Sequence, residues 1–134
     1  MKRLLPILVG FGVIFGSPAQ AGINLYCQDK MATGFIKDER TNSWKIKKFE
    51  LKSYKIQFDN KYSTLRGVMF LPAKCNSPYK NASRLLFCVH TFPTHEIFIF
   101  DKNSQRYTFS EVTGGYALNN SDAEILHVGT CKKL

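Results

Sequence analysis

The longest regular hydrophobic pattern in the chain lies between Glu96 and Val112, EIFIFDKNSQRYTFSEV. Ile97, Phe98, Ile99 and Phe100 form an unbroken apolar run, the signature of a strand buried on both faces. Asp101 to Gln105 follows with short polar side chains that bond their own backbone and tolerate unusual φ angles, the chemistry of a turn. Arg106 to Ser110 then alternates strictly, which places Tyr107 and Phe109 on one face and the polar residues on the other. Two β-rich runs joined by a short polar link predict a hairpin, and this one is expected at the centre of the core.

The same two-residue period recurs on either side. Gly22 to Gln28 alternates Ile23, Leu25 and Cys27 against Asn24, Tyr26 and Gln28, a half-buried strand. Asp29 to Ala32 is polar enough to turn, Thr33 to Lys37 predicts a short second strand, and Asp38 to Ser43 a loop. Trp44 to Asp59 carries Trp44 and Ile46 in one phase, Phe49 and Leu51 in the other, and Tyr54, Ile56 and Phe58 back in the first. Those slips predict two bulges, or one bulge and a turn near Lys52-Ser53. Ser63 to Leu71 predicts a strand with Gly67 at a bulge, and Ala73 to Ser83 a loop held by a disulfide. Arg84 to Thr91 and Ile125 to Cys131 predict further strands. The total is about eight or nine short strands and no helix, an all-β fold built as a small antiparallel barrel or a two-layer sandwich.

The first 21 residues have a different pattern. Lys2 and Arg3 precede an apolar stretch from Leu4 to Phe15, and Ala19-Gln20-Ala21 supplies the small-x-small cleavage pattern of a signal peptide. The apolar stretch is too short to span a bilayer, and Gly22 stands where a lipoprotein would carry its cysteine. The expected mature protein is therefore a single domain over residues 22–134, exported to the periplasm or secreted. It retains 17 basic and 10 acidic residues, a formal charge of +7. Lys30 to Arg84 holds 13 of the basic residues and 4 of the acidic ones. Behind a signal peptide, that asymmetry favours anionic lipid, lipopolysaccharide or cell-wall polymer over nucleic acid. Lys45, Lys47, Lys52 and Lys55 are the expected anionic-partner face, and lysines on exposed strands also block edge-to-edge aggregation.

The four cysteines all follow residue 21, an even count that predicts two disulfides in an exported domain. Cys75–Cys88 and Cys27–Cys131 are the favoured pairs, the second joining the first and last strands. Cys88, His90 and His95 are the single cluster with metal-ligand character. If Thr91 to Thr94 make a hairpin loop, His90 and His95 face each other. A disulfide would consume Cys88, and Glu96 would then point away, so the two histidines are weak metal candidates and no cofactor is expected. GxSxG, HExxH, Walker and GxGxxG patterns are absent, and no two carboxylates are spaced as a pair for hydrolysis. A triad through His127 can be assembled only on paper, with no local signature behind it.

Tyr26-Cys27, Gly34-Phe35, Trp44, the paired central cysteines, the Ile/Phe-rich strand and the terminal Gly129-Thr130-Cys131 resemble small exported bacterial proteins of uncharacterised function, a resemblance that implies no activity. The opening around Tyr26-Cys27 and the disulfide-linked β fold are also similar to periplasmic lysozyme inhibitors. The inhibitors' serine-rich loop has no counterpart here, and a chain of +7 is poorly matched to a basic enzyme. The leading functional expectation is a non-enzymatic exported protein whose basic face binds an anionic envelope component or partner. The alternatives are an inhibitor of a cell-wall hydrolase or other protein, and a carrier of a small apolar ligand.

Overall fold

A computed structural model describes residues 22–68, 72–90 and 95–134. The leader expected over residues 1–21 lies outside them. Nine strands follow in order: β1 (Ile23–Asp38), β2 (Ser43–Lys48), β3 (Ser53–Phe58), β4 (Thr64–Arg66), β5 (Ala73–Asn76), β6 (Leu85–His90), β7 (His95–Asp101), β8 (Arg106–Val112) and β9 (Glu124–Lys133). Neighbours in sequence from β3 to β9 pair antiparallel, and β9 pairs with β1. Eight strands thus close a barrel. β2 is the extra strand, paired only with the second half of β1. A barrel of eight strands is just wide enough for its interior to be filled by side chains.

The expected hairpin is β7–β8, with Ile99 opposite Thr108 and Phe98 opposite Phe109. Its turn is held as the composition predicts: Asp101 accepts from the Asn103 amide at 2.9 Å, and Gln105 takes a positive φ of 56°. The apolar run differs from expectation in one respect. Phe98 and Phe100 are buried in the barrel, whereas Ile97 and Ile99 lie half-buried on the outer wall. A barrel strand needs only one sealed face, and the consecutive apolar residues do not demand two.

Phe58, Phe98, Phe100, Phe109, Leu25 and Leu65 fill the interior. Phe98 stacks on Tyr107 with ring centroids 5.2 Å apart, and Phe58 meets Phe100 at 5.4 Å. Each buried ring contributes on the order of 1.5–3 kcal/mol by leaving water. Two disulfides staple the wall: Cys27–Cys131 joins the first and last strands, and Cys75–Cys88 joins β5 to β6. In both cases the cysteines are directly opposite in register.

Other expectations are corrected. The turn predicted at Asp29 to Ala32 is a bulge inside one 16-residue strand, with the register slipping between Asp29 and Met31. Asp29 reads as a turn former because it is polar; it turns inward instead, where three groups bond it. The phase slips after Ile46 fall on the link between β2 and β3, which Phe49 and Lys52 tie to β1 by backbone hydrogen bonds, rather than on bulges within a strand. Ala73 to Asn76, expected as loop, is β5, because the disulfide holds Cys75 opposite Cys88 in a ladder. One short helix, α1 (Gly115–Leu118), and a 3₁₀ turn at Lys80–Ala82 interrupt the β pattern. A single turn is too short for a helical period to appear in sequence.

Candidate functional site

The barrel has two unlike ends. At the near end, the start of β1, the β3–β4 and β7–β8 turns and the chain's last residues gather around an apolar interior. At the far end, β2, the β8–β9 connection and the close of β6 gather around polar side chains. The alternation that points Phe98 and Phe100 inward also points Glu96 inward, and the same parity brings in His90, Glu111 and His127. His90, Glu96 and Glu111 stand directly opposite one another across β6, β7 and β8.

Asp29 and His127 sit at the floor of this polar end. His127 is 1% exposed, and its Nδ1 lies 2.8 Å from Asp29 Oδ2. Asp29 also accepts the Lys52 amide at 2.9 Å and the Tyr107 hydroxyl at 2.5 Å. Gly129 makes the last bond possible: a Cβ there would lie 2.6 Å from the Tyr107 hydroxyl and 2.1 Å from the Gln28 carbonyl. Burial, and then the bond to Asp29, push the Tyr107 hydroxyl well above the ordinary tyrosine range. Burial, then Asp29 and Glu111, do the same to Tyr54.

Four buried side-chain atoms at this end have no hydrogen-bond partner among the described residues: the Tyr54 hydroxyl, His90 Nδ1, Glu96 Oε2 and His127 Nε2. His127 Nε2 faces Glu111 Oε1 at 3.4 Å, and Lys52 Nζ approaches the same oxygen at 3.7 Å. The Asp–His pair resembles two members of a triad, but the third position is held by a carboxylate, which is no nucleophile toward a carbonyl at neutral pH.

The metal candidates separate. His90 lies opposite Glu96 on the inner face, and His95 lies exposed opposite Val112 on the outer face. The expected hairpin pairing is off by one residue, which is enough to flip a side chain through the sheet. Glu96, expected to point away from His90, is its direct partner. Cys88 is in a disulfide. Among the described residues no group of three or more His, Cys, Asp or Glu is set to hold a metal ion.

The four lysines of the expected anionic-partner face are also divided. Lys45 pairs with Asp38 at 2.5 Å, and that bond chiefly holds the Asp38 carboxyl below its ordinary value. Lys47 lies over the Phe49 ring, and Lys52 turns toward Glu111. Lys55 stands on the outer wall of β3 beside Tyr26, across from Lys132, whose Nζ is 5.6 Å from the Tyr26 ring.

A second feature was not legible from lysine positions at all. Register places Phe35 opposite Ile46 and Lys37 opposite Trp44 on the outer side of β1 and β2. Leu126 and Val112 continue that face on β9 and β8. α1 leans over it, with Tyr116 edge-on to Trp44 at 5.4 Å. Lys37 fixes the end of α1 through the Asn119 carbonyl and side chain, at 3.2 and 3.0 Å. The result is an apolar groove of about 650 Å³ lined by Phe35, Trp44, Ile46, Val112 and Tyr116. Ile46 is 78% exposed and Tyr116 69%. The alternation of Trp44 and Ile46 with lysines was the available signal, since it puts apolar groups on the outward side of an edge strand.

No protein-family model, no curated protein and no solved structure matches this chain.

Proposed function

We propose that the protein is a non-enzymatic exported protein that docks on an anionic lipid surface through the outer face of β2, β1, β9 and β8. The observation that carries this is the exposed groove of Phe35, Trp44, Ile46 and Tyr116, which Glu124 also lines, with Lys37 and Lys48 on the same outward side of β1 and β2. Between Lys37 and Lys52 the chain carries six basic and three acidic residues. Lys48 shares the outward side with Trp44 and Ile46, opposite Thr33. Soluble proteins seldom expose a contiguous apolar patch without a partner for it. Trp and Tyr suit the water–lipid boundary, having an apolar ring and a polar edge. Each lysine near an anionic leaflet adds about 1 kcal/mol of attraction. A purely polar polyanion would use the lysines and leave the rings in water, so lipid fits the face better than cell-wall polymer.

Export is part of the same proposal. The Lys2-Arg3 start, the apolar stretch behind it and the Ala19-Gln20-Ala21 pattern support it, together with two disulfides that persist in oxidising compartments. Among the described residues no helix is long and apolar enough to cross a membrane. The carrier alternative is less well supported, because the apolar half of the barrel is occupied by its own phenylalanines. Inhibition of a cell-wall hydrolase has no residue on this face that speaks for it.

Trp44 is the sole tryptophan, so its emission reports on the groove directly. Vesicles containing phosphatidylglycerol are expected to shift that emission to shorter wavelength and to bind the protein, with affinity falling steeply as salt rises. Zwitterionic vesicles are expected to bind weakly. Phe35→Ser with Ile46→Ser leaves the charge unchanged and is expected to abolish the shift. Equal binding by that variant, or equal binding to a soluble polyanion, defeats the proposal.

A further inference from the structure

We propose that the outer groove between β2 and α1 binds the quaternary ammonium group of a small ligand of the choline type, held by the rings of Phe35, Trp44 and Tyr116 and by the Glu124 carboxylate. Lipid docking uses the outward rim of the groove and the lysines beside it; this site is the space inside. Ile46, Phe35 and Glu124 form one row across β2, β1 and β9, because Phe35 stands opposite both of the others. Tyr116 meets Trp44 from α1, and their planes cross at 67°, so the two rings make a corner rather than a flat stack. The groove of about 650 Å³ is open to solvent, with Phe35, Ile46 and Tyr116 all exposed.

Among the described residues that line the groove, Glu124 alone is charged. No lysine, arginine or histidine among the described residues pairs with it. The amides of Thr113 and Tyr116 donate to its two oxygens at 3.0 and 3.4 Å, which fixes the carboxylate at the wall. Lys37, opposite Trp44, is drawn instead to the Asn119 carbonyl and side chain. Aromatic faces are electron-rich and attract a cation, most strongly at Trp and Tyr. Beyond Glu124 and the Tyr116 hydroxyl the lining side chains offer no acceptor, so a primary ammonium would leave protons unmet. A quaternary group has no proton to satisfy, and its methyl coat suits Ile46, Val112 and Ala117. One head group held this way binds on the order of millimolar, so neutral vesicles, which lack the charge attraction, remain weak binders.

The test uses the full folded protein and tetramethylammonium chloride, with sodium chloride holding ionic strength constant. Trp44 is the sole tryptophan, and a saturable change in its emission is expected, half-complete on the order of millimolar. Neopentyl alcohol has a similar shape without charge, and methylammonium has charge with protons; each is expected to bind at least about threefold more weakly. Choline and phosphocholine separate the sources of the group: tighter binding of phosphocholine assigns the site to a lipid head group, and tighter binding of choline to a free amine. Tyr116→Leu keeps apolar bulk, removes the ring, and is expected to weaken tetramethylammonium binding about threefold or more. Glu124→Gln is expected to weaken it about two- to fivefold, while binding to anionic vesicles is retained. Should Glu124→Gln not fold, Tyr116→Leu carries the test. The proposal is overturned if tetramethylammonium gives no saturable change, if neopentyl alcohol or methylammonium matches it, or if the folded variants bind it as wild type does. Anionic vesicles that bind a protein blind to tetramethylammonium defeat this site alone, whereas tetramethylammonium binding without vesicle binding defeats only the docking.

Discussion

Tyr107 donates its hydroxyl proton to Asp29 at 2.5 Å, across 78 residues of sequence, by passing over Gly129. The bond ties β8 to the bulge of β1 inside the barrel, with β9 running between them. Its loss should be measurable in two ways. Tyr107→Phe keeps the ring and leaves a buried carboxylate oxygen unpaired, which is expected to lower stability by about 1–3 kcal/mol in chemical denaturation. Gly129→Ala places a methyl group into the space the ring crosses, and adds overpacking to the lost bond, for about 2–4 kcal/mol. If the glycine variant matches wild type, the ring does not depend on that crossing.

Alkaline stability follows from the same buried hydroxyls. Tyr54 and Tyr107 are both raised above their ordinary value of 10.0. Above that pH the unfolded chain releases these protons and the folded chain keeps them. The stabilisation is therefore complete below pH 10.0 and declines as pH rises beyond it. Phenolate absorbance of the native protein should show fewer titrating tyrosines than the six in the sequence until unfolding releases the rest. A native titration of all six at the ordinary position contradicts this.

Acid acts on the turns. Asp38, Asp59 and Asp101 are all held below their ordinary value of 3.8. Lys45 does this for Asp38, the Ser63 side chain for Asp59, and the Asn103 amide for Asp101. Their contribution is present above pH 3.8 and lost as pH falls through the lowered folded values. Asp59→Asn is expected to reduce the acid sensitivity of unfolding while lowering stability at neutral pH. A pH profile superimposable on wild type would falsify the assignment to Asp59.

The two disulfides close loops of very different length, spanning 104 and 13 residues in sequence. Chain entropy predicts about 4–5 kcal/mol for the Cys27–Cys131 bond and about 3 kcal/mol for Cys75–Cys88. Replacing each pair by alanine and comparing denaturant midpoints measures the difference. Equal losses would mean that local packing, rather than loop closure, sets their worth.

What the sequence revealed, and what it hid, divides along local and non-local lines. Period-two patterning is local, so the β7–β8 hairpin, most strands and the pairing of first with last strand through Cys27 and Cys131 were readable. Register is not local. The placement of His90 against Glu96 rather than His95 turns on a single residue of offset. Asp29 looked like a turn because nothing near it in sequence satisfies a buried carboxylate; its partners arrive from Lys52, Tyr107 and His127. The outer groove was hidden for a similar reason. Tyr116 and α1 reach Trp44 from the far end of the chain, and Lys37 anchors them there.

The long first strand also governs when the molecule can exist as a folded object. β1 lends one edge to β3 and the other to β9, so every polar backbone group along that second edge waits for the last strand to be made. Until Cys131 reaches Cys27, the growing chain is an open sheet with two sticky borders rather than a barrel. Closure at such separation is slow because the ordering entropy is spent before the contacts form. The interval before closure is thus the period of greatest exposure to aggregation and to misjoined thiols, and a helper that shields β1 or guides Cys27 would act then and not later.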